Sequence, residues 1–183
     1  MNVTLIEERE GNLASINIYS KLIENRIIFI NDGITDELSG EVIAQLLYLD
    51  SLNNNVINIY INTPGGSIFA GLSIYDISKY IKSPIRTVAL GSACSMGAIL
   101  LLMGQERCAL KHTRIMFHQP SGGAFGTSDD IKVTHELIET LKANLYKIVE
   151  ENTLLKNVEQ IFKLDTWYNS KQALDNGIIT KIL

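Results

Sequence analysis

The sequence predicts an α/β fold in which β-α units repeat and build a mainly parallel sheet. Three observations carry that expectation. Short continuous apolar runs, the mark of strands buried in a parallel sheet, alternate with stretches whose apolar residues follow helical spacing. The three prolines, Pro64, Pro84 and Pro120, stand where one such stretch gives way to the next. With 183 residues, 46% hydrophobic and 20% charged, the chain has the composition of a globular protein. Against a typical domain of about 150 residues, residues 1–183 are expected to form a single domain.

Residues 26–30 read as a buried strand. Thr35 or Asp36 can then cap a helix whose Leu38, Val42, Ile43, Leu46 and Leu47 share one face. A second strand over 56–61 is broken by Thr63-Pro64-Gly65-Gly66, after which Ala70, Ile74, Ile77 and Ile81 return with helical spacing. Residues 85–90 are the third strand, 96–103 a short helix with no polar face and therefore wholly buried, and 114–117 the fourth strand. Such alternation implies right-handed crossovers with helices packed on the sheet. Thr127 and Ser128 open a long helix over about 127–152, striped by Ile131, Ile138, Leu141, Leu145 and Ile148. At about 1.5 Å per residue it is roughly 36 Å long, so its stripe either lies on the sheet or projects to meet a partner subunit. A short helix around 170–174, Gly177 as its stop and an apolar strand over 178–183 close the chain.

Charge and hydropathy exclude several functions. A net charge of −4 offers no basic excess to neutralise phosphates, so no nucleic-acid partner is expected. The longest apolar run, from Ala98 to Met103, is far below the roughly 18 residues of a membrane span, which predicts a soluble chain. Glu7, Glu8 and Glu10 occupy the start, where a signal peptide needs a basic and then an apolar stretch, so no export is expected. Cys94 and Cys108 lack metal spacing and form no disulfide framework, which fits the cytoplasm or an equivalent reducing compartment such as an organelle stroma.

The chemistry concentrates at strand ends. Ser95, in Gly91-Ser92-Ala93-Cys94-Ser95-Met96-Gly97, lies between a buried strand and a buried helix, close to unpaired N–H groups able to stabilise an oxyanion. A serine at such a junction is most often a helix cap. Gly66 ends another strand in a flexible Gly-Gly pair, and its N–H together with that of Met96 would make a two-donor hole. His118 directly follows a strand and is the best general-base candidate, ahead of His112 in a charged turn and His135 in the long helix. Asp165 could hold the imidazole, and spacing alone does not choose it over Asp129 or Asp130. Cys94 and Ser92 compete with Ser95 as nucleophile, Cys94 reading better as small buried filler. Ala93 to Gly97 approach the nucleophile elbow of α/β-hydrolases, but no histidine follows His135, so the order Ser, acid, His fails.

Several segments in order and spacing resemble the ClpP family, the proteolytic subunits of Clp proteases. They are Ile18-Tyr19-Ser20, Tyr60-Ile61-Asn62-Thr63-Pro64-Gly65-Gly66-Ser67, Ser73-Ile74-Tyr75-Asp76, Ser95-Met96-Gly97-Ala98 and Met116-Phe117-His118-Gln119-Pro120 with Gly122-Gly123. The resemblance covers nearly the whole chain and implies a ClpP/crotonase-like fold with the long helix as a projecting handle and residues 1–13 as an N-terminal axial segment. It implies Ser95 as nucleophile, His118 as general base, Asp165 as orienting acid, and Gly66 and Met96 as oxyanion donors. Gly122, Gly123, Ala124 and Phe125 would form a strand pairing with the substrate backbone, giving broad specificity. No metal or organic cofactor is implied. The implied partners are further copies of the chain in heptameric, stacked rings, an AAA+ Clp ATPase unfoldase, and unfolded protein or short peptide substrates.

The chain departs from the family pattern at three positions. Lys163 and Leu164 stand where relatives carry an Asp-Arg pair used in ring-to-ring contact, and Asn58 replaces one of two aromatic residues of the ATPase-docking pocket, leaving Tyr60. These departures motivate an alternative, a ring subunit that needs a paralogous partner to assemble or cleave. A crotonase-type acyl-CoA enzyme is a third reading, which Ser95 with His118 disfavours.

Overall fold

The computed structural model describes residues 4–9 and 12–183. Strand β1 (Thr4–Arg9) and strand β2 (Asn12–Asn17) form an antiparallel two-stranded sheet, with Thr4 opposite Asn17. Of the axial segment expected at 1–13, residues 1–3, 10 and 11 lie outside the described residues. The Asn17 side chain accepts from Tyr19 N–H at 2.8 Å and caps helix α1 (Ile18–Glu24). Next come β3 (Ile27–Ile30), α2 (Asp36–Leu52), β4 (Ile57–Thr63), α3 (Ile68–Tyr80), β5 (Ile85–Cys94) and α4 (Met96–Leu101). The chain continues through β6 (Glu106–Ala109), β7 (Arg114–Phe117), α5 (Ser128–Asn152), α6 (Val158–Phe162), β8 (Thr166–Asn169), α7 (Ser170–Asp175) and β9 (Lys181–Ile182).

The main sheet runs β3-β4-β5-β6-β9, all parallel. Strand β7 joins β5 in parallel and carries β8 antiparallel on its other side. The mainly parallel α/β architecture expected from sequence is therefore present. Its inner face is isoleucine-rich: Ile28, Ile30, Ile57, Ile59 and Ile61 are sealed from solvent against Val42, Leu46 and Leu49 of α2 and Ile74 of α3. Burying each such side chain contributes roughly 1.5–3 kcal/mol before entropy is counted. Burial alternates along β4, because Asn58, Tyr60 and Asn62 point to the other face, which is only partly covered. The apolar reading of 56–61 thus overstated its burial, and Tyr60 stacks on Phe29 on that half-covered face with ring centres 5.4 Å apart.

Helix α4 is buried along all six residues, as its lack of a polar face requires. Helix α5 starts at a capping box in which Thr127 and Asp130 satisfy each other's backbone N–H groups. Only Leu145 and Val149, in its second half, are buried, while Ile131, Val133 and Leu137 stand exposed. Of the two placements the sequence left open, the first half of α5 takes the projecting one.

Several boundaries differ from expectation: β4 is shifted to Ile57–Thr63, β5 runs on to Cys94 and α4 stops at Leu101, and two further differences have a clear cause. The first main strand begins at Ile27 rather than Arg26, which turns into a left-handed conformation (φ 59°) and sends its guanidinium to the carbonyls of Leu49, Asn53 and Asn55, closing the end of α2. The closing strand covers only Lys181–Ile182 rather than 178–183, because Ile178 and Ile179 instead donate to the Ala173 carbonyl at the end of α7. The hairpin, α1, β6, α6 and β8 were not anticipated; each is short and lacks a full period of apolar repeat.

Candidate active site

Ser95 joins β5 to α4 with φ 56° and ψ −122°, a region that strains any residue bearing a β-carbon. Its hydroxyl makes no cap bond to α4, so the commonest role of a serine at such a junction does not apply. The hydroxyl stands 2.9 Å from His118 Nε2. Two contacts enforce the pairing. The parallel register sets Cys94 beside Met116, and Ser95 N–H donates to the Met116 carbonyl at 2.8 Å, so the ends of β5 and β7 emerge side by side.

Asp165 reaches the same imidazole from the far side. The antiparallel register of β8 on β7 sets Thr166 opposite Phe117, one residue short of Asp165 and His118. Gln119 N–H holds the neighbouring turn by donating to the Phe162 carbonyl at 2.7 Å. Asp165 Oδ1 lies 3.3 Å from His118 Nδ1, with the carboxylate side chain 63% exposed and the imidazole 31%. In the tautomer that donates Nδ1–H to Asp165, Nε2 is free to accept the Ser95 hydroxyl proton.

The other candidates fall away. Asp130 is engaged at the α5 cap, accepting from Thr127 N–H at 2.9 Å, and Asp129 lies in the same first turn. His112 sits in an exposed turn and His135 on the exposed half of α5. Cys94 is buried, and that burial pushes its thiol above the ordinary value of 9.0, against the thiolate a nucleophile needs. Ser92, three residues earlier in β5, lies 3.5 Å from Asn62 Oδ1 through its hydroxyl.

The Gly-Gly turn after β4 comes against this junction. A β-carbon on Gly65 (φ 99°) would meet Ser95 Cβ at 2.6 Å and the Cys94 carbonyl at 2.8 Å, and only glycine permits that approach. Ile34 brackets the next residue: its N–H donates to the Gly65 carbonyl at 2.9 Å and its carbonyl accepts from Ser67 at 2.8 Å. In a parallel bridge of this kind the N–H of Gly66 is turned away from Ile34. The first intrahelical bonds of α4 to the Ser95 carbonyl come from Ala98 and Ile99, so Met96 N–H precedes the ladder. The close approach of Gly65 is a contact that sequence reasoning, which singled out Gly66, did not foresee.

An apolar pocket lined by Ile68, Met96, Ile99, Phe117, Leu145 and Phe162 opens beside Ser95 and His118. No sequence motif marks it, since its walls come from five separate elements. Residues 120–125 take no regular secondary structure, so the strand expected at Gly122, Gly123, Ala124 and Phe125 is not formed within this chain. Phe125 is fully exposed there. A hydroxyl, an imidazole and a carboxylate in series, with backbone N–H groups at a helix start, can perform acyl transfer through a tetrahedral oxyanion.

Comparison with known proteins agrees with that chemistry. The Clp protease family model matches residues 9–183. The chain is 41% identical to the ATP-dependent Clp protease proteolytic subunit of Bacteroides thetaiotaomicron, over all of this chain and 86% of that one. It is 40% identical to the protein of the same name from Bacteroides fragilis strain ATCC 25285, over all of this chain and 91% of the relative. For that of Porphyromonas gingivalis the figures are 42% identity, 98% of this chain and 83% of the relative.

Proposed function

This chain belongs to the Clp protease family, and on that premise we propose that it hydrolyses peptide bonds with Ser95 as nucleophile, His118 as general base and Asp165 as orienting acid. It is a serine-type peptidase, the proteolytic subunit of an ATP-dependent Clp protease. The observation that carries the residue assignment is the 2.9 Å contact between a strained, non-capping Ser95 and His118 Nε2.

His118 takes the hydroxyl proton as Ser95 attacks the carbonyl carbon, and Asp165 stabilises the imidazolium so formed. Gly66 and Met96 N–H groups receive the developing oxyanion. His118 then protonates the leaving amine, and water activated by the same imidazole resolves the acyl-enzyme. The pocket between α4 and α6 receives an apolar side chain of the substrate, while residues 122–125 pair with its backbone as an added strand. Main-chain recognition gives broad sequence tolerance.

Copies of the chain assemble into heptameric rings that stack through α5 and enclose the sites, the N-terminal segment lining the axis. A Clp ATPase unfolds proteins and feeds them in, and the location is a cytoplasm-like compartment. Among the described residues, no helix is long and apolar enough to cross a membrane. Lys163 and the exposed Leu164 favour one second reading, a ring that requires a paralogous subunit. Turnover of a short unstructured fluorogenic peptide by the purified chain alone, lost in Ser95→Ala, supports the first reading. Turnover only after mixing with a paralogue supports the second, and turnover by Ser95→Ala contradicts the residue assignment.

A further inference from the structure

Strand β5 changes neighbours in mid-course. Its first part, Arg86 to Ala89, pairs with β6, whereas Ser92 to Cys94 pair with β7, the strand that ends in His118. The change coincides with an irregularity against β4: Ile61 faces Ala89 and Thr63 faces Ala93, so β5 spends four residues where β4 spends two. Such a bulge removes backbone partners from the ladder and redirects the strand. Here the missing acceptor comes from a side chain. Asn62 Oδ1 accepts from Ser92 N–H at 2.9 Å and lies 3.5 Å from the Ser92 hydroxyl. The bulge closes around it, since a β-carbon on Gly91 would stand 3.0 Å from the same oxygen.

We infer that Asn62 is a positioning residue for peptide hydrolysis: its side-chain carbonyl fixes the β5 bulge that hands the strand from β6 to β7 and so sets Ser95 against His118. Asn62 lies on the exposed side of β4, and its side chain hydrogen-bonds Ser92 rather than Ser95 or His118. Its effect passes through three residues of β5, Ser92 to Cys94, whose end is tied to β7 by Ser95 N–H on the Met116 carbonyl. The next residue holds the opposing wall. Thr63 is wholly buried, donates to the Asp32 carbonyl at 2.6 Å, and accepts from Gly65 N–H at 3.1 Å, so release of the bulge moves β5 against a fixed Gly-Gly turn. The inference rests on the Ser95–His118 reading above.

The test compares Asn62→Ala, Asn62→Gln and Asn62→Asp with the parent in steady-state hydrolysis of a short peptide and in the rate of Ser95 modification by a fluorophosphonate. Light scattering and thermal melting are run on each. Asn62→Ala, and Asn62→Gln with its carbonyl one methylene too far, should lower kcat and the modification rate about 10- to 100-fold with KM little changed, as expected for misplacement by about 1 Å. Asn62→Asp keeps an acceptor at the same reach and should recover most of the rate. A merely structural role would lower the melting temperature and leave kcat of the assembled protein intact, and that result overturns the inference. If Asn62→Ala does not fold, Asn62→Gln against Asn62→Asp decides: equal kcat in the two overturns it. A parent protein whose Ser95→Ala variant still turns over would instead remove the reading beneath.

Discussion

Ser95 is half-buried and holds a backbone angle that favours glycine, kept there by its N–H bond to the Met116 carbonyl and the close approach of Gly65. Replacing Ser95 by Ala removes the attacking oxygen and leaves the packing, so turnover should vanish while assembly by light scattering is unchanged. Asp165→Ala should lose activity by on the order of 10²-fold or more without abolishing it, because the acid orients and stabilises the imidazole rather than reacting. Near-parental activity would move the acid role to another group. Gly65→Ala places a methyl 2.6 Å from Ser95 Cβ, inside contact distance, and a folded variant should lose most of its kcat. The Cys94 thiol is raised by burial, and a raised folded-state value favours the folded protein below the unfolded pKa, that contribution fading as pH rises through the folded value. Iodoacetamide at neutral pH should accordingly leave peptide hydrolysis intact. Inactivation blocked by Cys94→Ala would contradict that.

Elements were legible from sequence where period and punctuation agreed. Helices α2 and α3 follow from spaced isoleucines and leucines behind Thr35 and behind the Thr63-Pro64-Gly65-Gly66 break, while the Ser67 cap of α3 was seen only in the structure. The all-apolar α4 could only be buried. Some short elements escaped, because β6, α6 and β8, unlike β3, lack a continuous apolar run, carry too few turns or alternations to register a period, and exist through tertiary pairing. Helix α5 combines a sequence-readable cap with an exposed first half, so the cap bears unusual weight there. Thr127→Ala should cost about 1 kcal/mol locally, seen as roughly fivefold faster amide exchange in the first turn of α5 with the core unchanged. Unaltered exchange would mean that the turn is held by other contacts.

For the molecule as a whole, the order of strands decides what sequence alone could not. Ser95, His118 and Asp165 were each recognisable by residue type and by likeness to a family; spacing alone left Asp165 level with Asp129 and Asp130, and the β7–β8 pairing brings Asp165 Oδ1 to 3.3 Å from His118 Nδ1. The bulge between Ile61 and Thr63 had no signature, since it is a relation between two strands. Exposed Ile131, Val133 and Leu137 on the free half of α5 lead us to expect a ring or stacked rings of the purified chain. A monomer by light scattering across the micromolar range would refute that assembly. Whether the hydroxyl is activated is asked most directly by treating the purified chain with a fluorophosphonate and mapping the adduct by intact and peptide mass. A single adduct on Ser95, absent from Ser95→Ala and strongly slowed in His118→Ala, is the predicted result. An adduct at another residue, or none on a properly assembled protein, would contradict it.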